Sequence, residues 1–327
     1  MSYNAAAGRG VVFACVFLLC GSLSALDFTC VQTDKPQIVV TGGVLKRLVN
    51  LHNSSKNVWA TKNKHNPTAA SVAVTYLTDR WWAGLSGSFE TGHRRMDFVF
   101  PYAEAKGKFK NDTYGITAFG GYKGADDWYV KGNLFFGYND FSVKEMRIVS
   151  GYAWETFDTD ESKNVGASAE FGKTFTTASE FRLTPHIGID YACLGGDGSL
   201  VRTPDPMRTH VQLGHQDFIE VPVGVKVAKS FCYGDWTFTP AVDAAVIGSF
   251  RFCGDKRDTM NTTGGSASYN GTDWNIYAAT ADKFGGKFKA AFDATFCSRF
   301  SANFAYEIEV RKKYVDNRFS ASLGVAF

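Results

Sequence analysis

The C-terminal stretch Asn317 to Phe327 alternates strictly between bulky apolar and small or polar side chains. Phe319, Ala321, Leu323, Val325 and Phe327 fall on one face of an extended strand. Arg318, Ser320, Ser322, Gly324 and Ala326 fall on the other. One such strand fits the half-buried sheet of a soluble protein. About ten sibling segments of membrane-spanning length point instead to a closed barrel, in which apolar faces meet lipid and every backbone group pairs around the ring.

Period-two segments follow one another along the chain. They run 57–64, 71–78, 81–92, 112–123, 128–140, 164–175, 181–193, 217–230, 236–250, 283–296, 300–310 and 317–327. This predicts an all-β, closed antiparallel transmembrane β-barrel of twelve strands. In the seventh segment Phe181, Leu183, Pro185, Ile187, Ile189 and Tyr191 face out, while Arg182, Thr184, His186, Gly188 and Asp190 face in. In the eighth, Ile219 to Val227 face out at alternate positions against Glu220, Gly224 and Lys226. In the eleventh, Phe300, Phe304, Tyr306 and Ile308 oppose Asn303, Glu307 and Glu309. A basic residue at the lipid-facing midplane would cost about 2–4 kcal/mol. The charges keep to the other face, so Glu170, Arg182, His186, Asp190, Glu220, Lys226, Glu307 and Glu309 are expected to line a polar lumen. Arg318 belongs to the same face near the outer end, where its replacement is expected to be mild.

The connections alternate in length. Asp79-Arg80, Tyr233 to Asp235 and Cys297 to Arg299 are short; 141–163, 194–216 and 251–282 are long. Short periplasmic turns against long surface loops are the asymmetry of an outer-membrane barrel. Trp81, Trp128, Trp236, Phe181, Phe231, Phe296, Phe300 and Phe327 lie at strand ends on the short-turn side, where an interfacial girdle belongs.

No apolar run reaches the roughly 20 residues of a spanning helix. The run Val11 to Leu19 follows Arg9 and precedes small residues at Gly21 to Ala25, the layout of a cleaved signal peptide. Leu19 before Cys20 is too bulky for a lipoprotein site. Five cysteines lie beyond it (Cys30, Cys193, Cys232, Cys253 and Cys297) in a spacing that defines neither a disulfide framework nor a zinc ribbon. The formal net charge of +3 makes no case for nucleic-acid binding. Between the signal peptide and the first segment, Thr41 to Ser54 has helical spacing: Val44, Leu45, Leu48 and Val49 share a face, with Lys46 and Arg47 elsewhere. Such a short helix is marginal alone in water.

Several landmarks occur in order: N-V-W-A from Asn57, W-Y-V-K-G-N-L-F-F-G-Y from Trp128, then Arg147 and A-S-A-E-F-G-K-T-F from Ala167. L-T-P-H-I-G-I-D-Y follows from Leu183, then V-P-V-G-V-K-V from Val221, F-T-P-A-V-D-A from Phe238, and L-G-V-A-F at the end. Over about residues 43 to 327 this series resembles the β-domain, or translocator, of bacterial autotransporters. The resemblance implies a twelve-stranded barrel with a helix or linker in the lumen, exporting or anchoring an upstream passenger polypeptide at the bacterial cell outer membrane. It makes Val44, Lys46, Arg47 and Leu48 part of a pore helix, held by the acidic wall residues Glu170, Glu220, Glu307 and Glu309. It makes Phe327, with Val325 and Leu323, a signal for the barrel assembly machinery. The other partners implied are the Sec export machinery, outer-membrane lipid and the passenger. The expected division is a signal peptide at 1–25, a short linker and pore helix at 26–55, and the barrel at 56–327. Only about Leu26 to Gly42 would precede the helix, too little for a passenger domain. Some family members cut their own linker at a lumenal asparagine; Asn50 and Asn53 lie nearby but do not match that motif.

Other chemistry fits these residues less well. His186 and Asp190, four apart on the inward face, could suggest a surface hydrolase, but such a site needs a nucleophile and a relay. His210 and His215 have no clear third metal ligand. Gly195 to Leu200 is turn chemistry rather than a phosphate loop. No cofactor, metal or enzymatic activity is expected. A passenger-less porin or adhesin-like barrel is the main alternative, with an outer-membrane hydrolase behind it. A lumen filled by Val44 to Asn50 would favour the translocator, and an open lumen the porin.

Overall fold

The computed structural model describes residues 36–52, 60–100, 103–150, 160–194, 199–201, 210–212, 216–253, 264–269, 272–277, 283–312 and 314–327. Residues 1–35, where the signal peptide and linker are expected, lie outside them with Cys30, as do Asn53 and Asn57.

Twelve antiparallel strands close into a barrel. They are β1 (Gln37–His52), β2 (Ala60–Leu77), β3 (Trp81–Phe100), β4 (Ala103–Lys123), β5 (Trp128–Ser150) and β6 (Asp160–Lys173), then β7 (Arg182–Leu194), β8 (Gln216–Ala228), β9 (Trp236–Cys253), β10 (Phe284–Phe296), β11 (Phe300–Arg311) and β12 (Tyr314–Ala326). Each pairs with its sequence neighbours, and β1 pairs with β12 from Val39 opposite Ala326 to Leu51 opposite Tyr314. No free edge is left for lipid to meet.

The expected helix at Thr41 to Ser54 is a correction: those residues up to His52 belong to β1. Val44, Lys46, Arg47 and Leu48 are therefore wall residues, and the barrel begins at Gln37 rather than near residue 56. The expected first two segments, 57–64 and 71–78, are largely one strand, β2, which runs through Pro67. The total of twelve survives because the expected pattern divides one strand in two and assigns another to a helix. Pro67 marks the split. It has no N–H to donate, and the β1–β2 ladder skips from Lys46–Thr68 to Val49–His65 beside it. Lys46 Nζ bonds the Asn66 carbonyl there at 3.3 Å.

Exposure follows the period of two. Leu134 (65 %), Ile116 (63 %) and Leu323 (67 %) are open on the outside, whereas Asn164 (0 %), Thr75 (0 %) and Arg318 (2 %) are buried within. The strands β3, β4 and β5 have 20, 21 and 23 residues, about twice the 9–11 that cross a bilayer. Residues 93–100 and 103–111, between the third and fourth expected strands, thus extend β3 and β4 as a paired ladder. Backbone pairing carries the ladder past the end of the apolar alternation.

The five connections at one rim are all short: 78–80, 124–127, 174–181, 229–235 and 297–299. Both ends of the barrel chain lie there too, since the Phe327 amide donates to the Ile38 carbonyl at 2.9 Å. The aromatic girdle sits at this rim, with Tyr76 and Trp81 ring centroids 5.3 Å apart and Trp236 and Phe296 4.8 Å apart. At the opposite rim, the two longest connections contribute Ser199–Val201, His210–Gln212, Gly264–Tyr269 and Thr272–Tyr277 to a separate four-stranded sheet.

In the β10–β11 turn, Cys297 and Ser298 hold φ of 50° and 55°. That left-handed region costs a non-glycine residue about 1–2 kcal/mol. Ser298→Gly is expected to stabilise the barrel by about 1 kcal/mol. A higher urea midpoint of the detergent-folded protein would show it; an unchanged midpoint would count against strain at this turn.

Candidate functional site in the barrel lumen

The lumen is lined by the inward positions of all twelve strands, and its two halves differ. On β4 to β6 the polar contacts are mainly amides and hydroxyls. Thr113 Oγ1 donates to Asn139 Oδ1 at 2.7 Å, and Asn133 Nδ2 donates to Ser168 Oγ at 2.6 Å. The Phe135 ring fills the space beside glycines on the neighbouring strand and on its own. A Cβ on Gly115 would stand 2.5 Å from the Phe135 ring, and one on Gly137 would stand 2.6 Å away. Near the short-turn rim Val39, Leu77 and Trp82 form an apolar cluster with Phe119 and Ala326 packed against it.

The other half, β8 to β12 with β1, carries a continuous charge network. Arg318 is its centre, touching Asp316 at 2.6 Å, Glu309 at 3.1 Å and Glu307. Arg47 Nη2 meets Asp316 Oδ2 at 2.5 Å from β1. Arg311 reaches Glu309 at 2.6 Å and, across the lumen wall, Glu220 of β8 at 2.7 Å. Ser249 Oγ accepts from Arg311 and donates to Glu220 at 2.7 Å. Lys287 Nζ stands 3.7 Å from Glu307. The cations Arg47, Arg311, Arg318 and Lys287 are thus balanced by Glu220, Glu307, Glu309 and Asp316. Arg47, Asp316 and Glu309 are at most 1 % exposed. Groups so far from solvent are held ionised only by charge-assisted hydrogen bonds to one another.

Glu170, Arg182, His186, Asp190, Glu220, Lys226, Glu307 and Glu309 all occupy inward positions, but not one site. Glu220, Glu307 and Glu309 enter the network. Glu170 instead pairs with Lys131 at 3.0 Å and accepts from Tyr129 at 2.6 Å. Arg182 donates to Ser230 at 2.9 Å by the short-turn rim. His186 is a correction to the pairing suggested by spacing. Its Nε2 lies 3.1 Å from Asp243 on β9, not on Asp190. That pair is in the short-turn half, away from the outer rim where a surface hydrolase would need it. Asp190 stands beside Glu220 in the β7–β8 ladder, and Lys226 beside Thr184.

Arg318 is a second correction. It is the hub of three carboxylates rather than a mild rim residue. Sequence reasoning missed Asp316, Arg311 and Lys287 as its companions. The signal was present in the period of two: Glu307, Glu309 and Arg311 share one face of β11, as do Asp316 and Arg318 on β12.

Lys46 and Leu48 lie on the outside of β1, unlike Arg47. Leu323 and Phe327 are 67 % and 78 % exposed on the outer face of β12, with Val325 between them. Cys193, Cys232 and Cys297 are thiols. Among the described residues no group of three or more His, Cys, Asp or Glu is arranged to hold a metal. His210 is in the outer sheet opposite Ser268, and His215 lies outside the described residues.

The sequence matches the autotransporter beta-domain family over residues 61–307. No curated protein matches it significantly. Among solved structures it is similar to the β domain of the Bordetella autotransporter BrkA. Identity is 12 %, covering 89 % of this chain and 100 % of that one, with a TM-score of 0.62. It is also similar to the translocator domain of the autotransporter NalP from Neisseria meningitidis, at 14 % identity over 96 % of each chain and a TM-score of 0.59. The transport unit of AIDA-I from Escherichia coli follows at 13 % identity over 96 % of each chain, TM-score 0.51. These likenesses share the barrel, and the match over 61–307 goes further: the chain belongs to the autotransporter β-domain family.

Proposed function

We propose that this translocator-type barrel passes a passenger polypeptide through its lumen and anchors it in the bacterial outer membrane. The observation that carries the reading is where the chain enters the wall. Gln37 and Phe327 share the short-turn rim, so the segment before Gln37 starts at one mouth of a polar lumen. To reach the opposite rim, an upstream polypeptide would run along walls of amides, hydroxyls and balanced charges. Such walls hydrogen-bond an extended backbone without holding it as an apolar wall would. The short-turn rim is periplasmic in this reading. The apolar run at Val11 to Leu19 supports delivery by the Sec machinery, and the β12 terminus supports insertion by the barrel assembly machinery. The wall itself has no catalytic role.

Epitopes inserted at Gly264, at Asp79 and just before Gln37 test this on intact cells. Antibody is expected to reach the Gly264 epitope and not the Asp79 epitope. It is also expected to reach the epitope before Gln37, carried out through the lumen. Access at Asp79 would reverse the topology. An upstream epitope that stays shielded while Gly264 is exposed would leave the passenger-less porin reading.

A further inference from the structure

Lys46 stands on the outer, lipid-facing side of β1, where a charge needs a reason. Its outward neighbours toward the short-turn rim are Val44, Val40 and Ile38, 55 %, 38 % and 48 % exposed. It is eight residues above Ile38. At about 3.3 Å per residue on a strand tilted about 40°, it stands roughly 20 Å up an apolar band about 25 Å tall. In register it lies between Thr68 of β2 and Phe319 of β12. Beside Phe319 is Tyr306, ring centroids 4.8 Å apart, with the tyrosine hydroxyl donating to Asn317 at 2.8 Å. An aromatic ring with its polar end turned to an amide marks the second membrane interface.

Below that level the outer wall is hollow. A groove of about 620 Å³ crosses the β10–β11–β12–β1 seam. Its outward side chains are small at Ala290 and Ala321 and large at Phe292, Phe304 and Phe319, with Lys46 also on its lining. The lining is almost wholly apolar apart from that ammonium. Lys46 donates to Thr68 Oγ1 at 2.9 Å and to the Asn66 carbonyl at 3.3 Å. Both acceptors are uncharged. An ammonium has three donors, so one remains for a further acceptor, and among the described residues no carboxylate neutralises it.

Resting on the reading of this chain as a membrane-spanning barrel, we propose that the groove is a specific site for a phosphate-bearing lipid. The acyl chain lies over Ala290 and Ala321 between the phenylalanine rings, and the phosphate oxygen accepts from Lys46 Nζ. The occupant follows from the place: a greasy trough on the lipid-facing wall is covered by lipid, and a single unneutralised cation at interface depth selects an anionic headgroup.

The test is native mass spectrometry of the full chain folded in mild detergent, with lipids added back singly. The probes are diphosphoryl lipid A, phosphatidylglycerol, diacylglycerol and inorganic phosphate. One phosphorylated lipid is expected to stay bound per barrel, while diacylglycerol and inorganic phosphate do not. Lys46→Gln is expected to lower the bound fraction about fivefold, the contribution of one lysine at a membrane surface. Ala321→Phe, which fills the groove and keeps the charge, is expected to lower it as well. Equal retention by parent and both variants, or equal retention of diacylglycerol, would overturn the site. Each sample is also run on a gel boiled and unboiled. A chain with no mobility shift would fail as a barrel altogether, whereas a shifted chain that retains no lipid would sink only the lipid site.

Discussion

Arg318→Leu is expected to lower the stability of the folded barrel by about 3–5 kcal/mol, the cost of stripping one partner from a buried charge network. Asp316, Glu307 and Glu309 all lean on this guanidinium. The side chain is 2 % exposed, so water cannot readily take its place. The urea midpoint of the heat-modifiable band is the readout. Adding Glu307→Gln and Glu309→Gln to Arg318→Leu is expected to recover part of the loss, because fewer carboxylates are then left unpaired. Arg182→Leu is the contrast: its hydroxyl partner Ser230 also has Thr239 at 2.9 Å, so a much smaller loss is expected. A midpoint for Arg318→Leu equal to that of the parent would mean that lumenal water solvates the three acids.

Removing Phe327 is expected to lower the assembled fraction in outer membranes severalfold. The residue plays two roles that variants can separate. Its backbone donates to and accepts from Ile38, at 2.9 and 3.3 Å, and so completes the β1–β12 seam. Its ring is 78 % exposed and packs little against the protein. Phe327→Ala keeps the backbone bonds and loses only the ring. If the ring is read by the assembly machinery, both the deletion and Phe327→Ala lower the heat-modifiable fraction. If only the deletion does so, seam closure is the role of this terminus. Equal assembly of the deletion and the parent would remove the terminus as a recognition signal.

Most of the wall was legible because lipid enforces a rule on one side of each strand. From β3 to β12 every expected segment overlaps a strand, and residues such as Leu323 and Ile187 face outward as their alternation required. The rule stops where lipid stops, and so the outer halves of β3 to β5 escaped. Residues 93–100 and 103–111 mix charged and apolar side chains without the long alternation of a spanning strand, and the backbone ladder, Gly92 opposite Asn111 and onward, keeps them extended.

The failure at β1 has a different cause. This strand is apolar on both faces: Val39, Leu45 and Val49 are buried inside, while Ile38, Val44 and Leu48 look outward. With no alternation left, Val44, Leu45, Leu48 and Val49 take on a helical spacing by coincidence. Local preference is weak in so short a segment, whereas leaving β2 and β12 unpaired in lipid would cost several kcal/mol for each exposed backbone group. The ladder wins.

The sequence by itself determined the class of fold and, from β3 to β12, the face that side chains take within the apolar band, because the period of two is local and lipid punishes errors in it. Tertiary structure alone decided which strand closes the ring and which charges meet. Arg311 finds Glu220 ninety-one residues away, and Arg47 finds Asp316 across the seam. Those partners depend on register and curvature, which arise only when the sheet closes.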